Sequence, residues 1–184
     1  MFRLVTVVLF GSFLISLPIA AQDNSKDKNL DVRSPIGDLH VGKDADAQKT
    51  GLPLYPGARP QHEQNGDPLN LALATESFGM QLIVAKYETT DPAEKVLSFY
   101  RDKMKKYGKV LECRGTGEAS NTHDTDDHDG SKVLKCDGDN TGPVRELKVG
   151  TEDNARIVAL ENPEKGKATA FSLVYLRKHE KGDI

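Results

Sequence analysis

The sequence lacks a strong charge of either sign, an internal repeat and a large apolar fraction. Its 184 residues carry 25 Lys and Arg against 28 Asp and Glu, a net charge of -3, which argues against a nucleic-acid-binding protein. No repeat is visible, which excludes repeat folds. Only 37% of the residues are hydrophobic and 6% aromatic, with no Trp, so we expect a modest core.

Motifs of the common enzyme classes are also missing. The sequence has neither a Gly-x-Ser-x-Gly nucleophile elbow nor a phosphate-binding Walker loop. His62-Glu63 is followed by Gly66 where a zinc-protease motif needs its second His. We therefore expect a protein without catalytic activity and without a cofactor. The alternative is a small hydrolase whose catalytic groups converge only in the folded chain.

The first 21 residues have the order of a secretory signal peptide. Arg3 is followed by the almost wholly apolar stretch Leu4 to Leu17, and then by the small residues Ala20 and Ala21. The stretch falls short of the ~20 apolar residues that span a bilayer, which argues against a membrane anchor. We predict cleavage after Ala21, and a periplasmic or secreted protein with no integral membrane segment after cleavage.

The remaining chain is predicted to consist of a tether, one domain and a short tail. Residues 22–50 are polar, and their isolated apolar residues follow neither a helical nor a strand period. Such a segment buries too little surface to offset its ordering entropy, so we predict a disordered tether. A single domain is expected at 51–178 and a C-terminal tail at 179–184.

The domain is predicted to contain one helix among several strands. Asp91 and Glu94 resemble a capping box, apolar residues from Ala93 to Tyr107 recur at spacings of three and four, and Gly108 is a helix stop. The strand candidates are Leu69–Thr75, Met80–Tyr87, Lys109–Arg114, Lys132–Asp137, Arg145–Thr151, Arg156–Leu160 and Lys167–Arg177. This order predicts an α+β fold, an antiparallel sheet of six to seven strands with one long amphipathic helix packed on one face.

The two cysteines, Cys113 and Cys136, are predicted to form a disulfide. Both lie in strand candidates, and an exported protein folds in an oxidising compartment. Opposed positions on neighbouring antiparallel strands have Cα separations that suit the bond. No Cys-x-x-Cys spacing is present, which argues against a redox site.

One polar segment concentrates possible metal ligands. Its imidazole and carboxylate side chains belong to His123, Asp124, Asp126, Asp127, His128 and Asp129. Such groups bind Zn, Ni, Cu or Ca, but the spacing fits no EF-hand, because Gly130 arrives one position late and Lys135 occupies the twelfth position. We interpret the segment as a solvated loop. A metal-binding protein that uses it is the alternative.

A basic cluster marks the end of the predicted helix and the residues that follow. Its members are Arg101, Lys103, Lys105, Lys106 and Lys109. The cluster is able to attract an envelope polyanion. Cations in the last turn of a helix also complement its dipole, and that is the interpretation we favour.

Two short segments resemble those of uncharacterised exported bacterial proteins. Tyr55-Pro56-Gly57-Ala58 matches the opening of that group, and the helix centred on Phe99-Tyr100 matches its second motif. The resemblance implies a small periplasmic or secreted domain and brings no activity. We therefore expect an exported, non-catalytic domain that binds or scaffolds a component of the cell envelope, its partner being a polyanion or a protein.

Overall fold

The computed structural model describes residues 29–61, 68–115, 133–136, 139–160 and 168–180. Its strands are β1 (Leu30–Ser34), β2 (Gly37–Gly42), β3 (Arg59–Pro60), β4 (Leu69–Thr75), β5 (Phe78–Thr89), β6 (Leu111–Gly115), β7 (Val144–Thr151), β8 (Asn154–Leu160) and β9 (Thr169–Glu180). Its helices are α1 (Ala47–Thr50), α2 (Ala93–Met104) and a 3-10 turn at Lys105–Tyr107.

The strands form one antiparallel sheet in the order β1-β2-β4-β5-β9-β8-β7-β6, and β3 pairs with β5 off this path. The architecture is therefore mainly β, with nine strands instead of the expected six to seven. Six of the seven strand candidates are confirmed. The candidate Lys132–Asp137 is wrong over its described residues, 133–136, which contribute only an isolated bridge between Val133 and Thr151.

The predicted tether at 22–50 requires the largest correction. From Leu30 to Thr50 the chain forms β1, β2 and α1, so the folded domain begins well before residue 51. The apolar residues alternate within each short strand, but the chain reverses at Pro35-Ile36 between them. The two strands therefore share no single period, and a period sought across the whole segment does not reveal them. Strand β9 likewise runs to Glu180, past the expected domain end at 178.

The predicted signal peptide, residues 1–21, and its cleavage site lie outside the described residues. Within the described ranges, neither helix is long and apolar enough to cross a membrane. The export of the protein therefore stays a prediction.

Helix α2 is confirmed, although its start differs from the prediction. Pro92 is the N-cap, without a side-chain capping bond. The Asp91 carboxylate instead accepts hydrogen bonds from the Tyr55 hydroxyl at 2.8 Å and the Lys95 ammonium at 3.2 Å. Gly108 follows the 3-10 turn with φ 134°, a conformation that favours glycine.

The core lies between α2 and one face of the sheet. Val96, Leu97, Tyr100 and Met104 of the helix are fully buried, as the stripe predicted. They pack against side chains of the four central strands on that face: Ala85, Tyr87, Leu147, Val149, Val158, Leu160, Phe171 and Leu173. Leu52 and Tyr55 dock the preceding segment on the same core, while Leu54 is 46% exposed.

Candidate functional site

The strand register divides the sheet side chains into two faces. Leu147, Val158 and Leu173 are direct neighbours across β7, β8 and β9, and they lie under α2. We call this side the covered face. Because side chains alternate along a strand, the next residue of each strand points to the opposite side of the sheet.

Three neighbouring rows of side chains on the opposite side of the sheet are aliphatic. One row crosses six strands through Leu30, Val41, Leu71, Leu82, Leu176 and Ala155. A second row runs through Leu69, Val84, Val174 and Ile157, and a third through Val32, Leu39, Leu73 and Met80. We call these three rows the aliphatic face.

No helix of the described chain lies on the aliphatic face. Helix α1 contacts β5 and β9 on the covered side, where the Ala47 N–H donates to the Tyr87 hydroxyl at 2.8 Å. Leu30 is 56% exposed and Val32 is 44% exposed. The other aliphatic residues of the three rows, apart from Ala155, are half-buried, because neighbouring side chains shield one another. Antiparallel sheets with one face in water usually alternate apolar and polar residues, and the central strands β5 and β9 do not.

Residues 133–136 lie at the β6 end of the sheet. The predicted disulfide between Cys113 and Cys136 is confirmed, with a Cα–Cα distance of 5.3 Å. Cys136, however, lies beside β6 and outside any strand. The Lys148 ammonium and Glu146 carboxylate lie 3.1 Å apart near this end and are almost buried, with side-chain exposures of 7% and 13%. The disulfide thus holds Cys136 against β6 at this end of the sheet.

Glu112, a carboxylate with a lowered pKa, lies on the covered side of the sheet. The Arg101 guanidinium, and after it that of Arg145, hold the pKa of Glu112 below its ordinary value. Arg145 also forms an ion pair with Glu94 of α2. These charges join the helix to β6 and β7, so they explain their own pKa shifts without a catalytic role.

The metal alternative receives no support from the described residues. All six of its candidates, His123, Asp124, Asp126, Asp127, His128 and Asp129, lie outside them. Within the described ranges, no group of three or more His, Cys, Asp or Glu side chains is arranged to hold a metal ion.

The hydrolase alternative has no geometry to build on either. His40 and His179 are the two histidines that the structure describes. The His40 Nδ1 atom lies 2.7 Å from the Asp31 carboxylate, on the covered side of β1 and β2. Among all residues that the structure describes, no Ser or Thr hydroxyl forms a hydrogen bond with either imidazole. A nucleophile and its base are therefore not brought together there.

The basic cluster is largely engaged with its own surroundings. Arg101 pairs with Glu112 at 2.7 Å and Lys105 with Asp102 at 3.3 Å. Lys103 and Lys106 lie over the rings of Phe99 and Tyr107 and border a shallow cleft. The other residues that line this cleft are Gln48, Gly51, Leu52 and Pro53. These contacts favour a solvated helix surface over a polyanion site.

The comparisons with known proteins leave the aliphatic face as the main guide to function. No family model, curated protein or solved structure matches the chain.

The sequence does contain a signal for this face, which the prediction did not use. Leu82-Ile83-Val84-Ala85 and Leu173-Val174-Tyr175-Leu176 are continuous apolar runs. Such a run places apolar side chains on both sides of a sheet, whereas a strand with one wet face alternates. The two runs pair with each other in β5 and β9, at the centre of both faces.

Proposed function

We propose that the chain is an exported, non-catalytic domain that binds a protein partner of the cell envelope on its aliphatic face. The single observation that carries the proposal is the row from Leu30 through Leu71 to Leu176, which crosses five neighbouring strands without a polar residue. Exposed apolar patches of this kind mark interaction surfaces. The signal-like N-terminus and the Cys113–Cys136 disulfide support the exported location.

The shape of the face favours a protein partner over a small ligand. Six strands spaced ~4.8 Å apart make the long row about 24 Å, and three rows make the face about 14 Å wide. Small-molecule sites are concave and surround most of their ligand. The aliphatic face is instead the surface of a sheet, formed by neighbouring strands. Its footprint is a substantial part of the ~800 Å² that each partner buries in an ordinary interface.

Accessibility of the face is tested first with an apolar fluorescent dye, anilinonaphthalene sulfonate. The folded protein should enhance the dye fluorescence, and Leu82→Lys should reduce the enhancement. The matched control is Ser98→Lys, on the exposed side of α2, which should leave the enhancement unchanged. A folded protein that leaves the dye fluorescence unchanged would mean that the face is already covered.

The partner itself is tested by photo-crosslinking in the cells that export the protein. A crosslinking side chain at position 82 should give a discrete protein adduct, and the same side chain at position 98 should not. The adduct should disappear when Leu176→Lys is added, because Leu176 lies directly opposite Leu82. Equal adducts at both positions, or none at position 82, would overturn the proposal.

A further inference from the structure

The two edges of the sheet are protected to different degrees. At the β6 edge, the disulfide holds Cys136 beside Cys113, and Val133 forms a bridge with Thr151 of β7. At the other edge, every residue of β1 is exposed. No strand of the described chain pairs with the outer edge of β1. About half of its backbone N–H and C=O groups therefore point outward, where another strand can pair with them.

The sequence of β1 is complementary to itself when two copies run antiparallel. In a pairing centred on Val32, Asp31 of each copy lies opposite Arg33 of the other. Val32 then faces its own counterpart, and Leu30 faces Ser34. Opposite charges and β-branched residues are favourable cross-strand neighbours.

The neighbouring strand extends this complementarity. His40 lies beside Asp31 on the same face of the hairpin, and Asp38 lies beside Arg33. Across two copies, this row would run from His40 through Asp31 and Arg33 to Asp38, and the charges of its last three members would alternate in sign. On the other side, Val32 lies beside Leu39 and Leu73, so the aliphatic row would continue into the second copy.

We infer that two copies of this chain associate by antiparallel pairing of β1 with β1, centred on Val32. Pairings centred on Asp31 or Arg33 place like charges opposite each other. A shift by one residue places the aliphatic residues of one copy on the charged side of the other. The register centred on Val32 avoids both conflicts. The inference concerns the edge of the sheet and not the partner on its aliphatic face.

The association is expected to be weak. A five-residue strand buries far less surface than an ordinary interface, so we expect a dissociation constant of roughly 10–1000 μM. Each pairing would make the two aliphatic faces continuous and would present a partner with twice the apolar surface.

The first test uses charge variants of the purified full chain in sedimentation velocity. Asp31→Lys gives a basic β1 and Arg33→Glu an acidic one, so each variant should be monomeric at a concentration where the native protein associates. An equimolar mixture of the two variants should associate again. The new Lys at position 31 of one variant then faces the new Glu at position 33 of the other. The unchanged Arg33 of the first variant faces the unchanged Asp31 of the second. The matched control Asp102→Lys, on the exposed surface of α2, should associate like the native protein.

The second test keeps the charges of β1 and measures the register directly. In the inferred pairing Val32 faces Val32, so V32C should form an intermolecular disulfide under mild oxidation. I36C is the control, because Ile36 is 82% exposed but lies far from its counterpart in this register.

Three results would overturn the inference. They are a native protein that stays monomeric to ~1 mM, the upper end of the expected range of dissociation constants, folded charge variants whose mixture does not associate, and oxidation of I36C that is as fast as that of V32C. None of them bears on the dye and crosslinking tests, because Leu82 lies three strands away from β1.

Discussion

On the covered face, Leu147, Val158 and Leu173 form a row with 0% exposure. On the aliphatic face, Leu71, Leu82 and Leu176 form a similar row that is only half-buried. The side chains are nearly the same in size and polarity, and the difference is the helix. Helix α2 removes the first row from water, and no helix of the described chain does so for the second row.

This difference separates two uses of an aliphatic row. A row under α2 contributes to the stability of the chain itself, since burial of apolar area is the main favourable term in folding. A row without such a cover contributes less to folding and leaves apolar area that a partner can bury. The two faces should therefore respond differently to the same substitution.

The largest expected effect is on the helix that makes the covered face. Leu97 of α2 is fully buried, so Leu97→Ala should lower the free energy of unfolding by ~2–5 kcal/mol, the range for emptying a packed leucine site. Urea or thermal denaturation measures it. An unchanged denaturation curve would contradict the position of α2 on the sheet.

The matched substitution on the aliphatic face is Leu82→Ala. Because Leu82 is only half-buried, we expect a loss of about 1 kcal/mol, a fraction of the value for a fully buried leucine. Equal losses for Leu82→Ala and Leu97→Ala would mean that the aliphatic face is covered as well. The ratio of the two losses therefore measures the difference between the faces.

The disulfide should have the largest effect after Leu97→Ala, and it acts at the β6 end of the sheet. Replacing both Cys113 and Cys136 by Ala should cost about 3 kcal/mol, because the bond closes a loop with a sequence separation of 23. Unchanged stability in the double variant would contradict this role.

Much of the covered side could be predicted from local patterns. The apolar residues of α2 recur with the 3.6-residue period of a helix, so the sequence alone identifies the side that faces the core. Leu97 and Tyr100 lie on that side and are buried. The same applies to β4, β7 and β8, where short alternating or apolar runs gave nearly correct limits. The cysteine pair was predictable because a count of two leaves one pairing.

The part of the aliphatic face formed by β1 and β2, and the β1 edge, could not be predicted in this way. Leu30, Val32, Leu39 and Val41 acquire their meaning only when β2 pairs with β4, which places Val41 beside Leu71. That pairing joins residues about thirty positions apart, and no local period encodes it. The prediction that Asp91 caps α2 was wrong for a similar reason. Its carboxylate accepts a hydrogen bond from the hydroxyl of Tyr55, which is distant in sequence.

A smaller effect is expected where α1 joins the covered face. In Tyr87→Phe the buried Ala47 N–H loses its hydrogen-bond acceptor, so we expect a loss of about 1 to 2 kcal/mol in urea denaturation. Tyr107→Phe is the control, since its hydroxyl donates to the Gly51 carbonyl at an exposed site where water can replace it. A loss in Tyr107→Phe as large as in Tyr87→Phe would contradict the burial of α1 against β5.

The smallest expected effect is the pH dependence of the charges that join α2 to the covered face. Arg101 and Arg145 lower the pKa of Glu112, so the folded protein favours its ionised form. The resulting stabilisation is complete above the ordinary pKa of glutamate, 4.5, and is lost as the pH falls through the lower pKa of the folded state. The Glu112 side chain is 42% exposed, so solvent screening should keep the effect below about 1 kcal/mol. Urea denaturation of the native protein and of Glu112→Gln should show a difference in stability at pH 7 that shrinks towards pH 3. If the difference stays constant over this range, the charge of Glu112 does not stabilise the contact between α2 and the sheet.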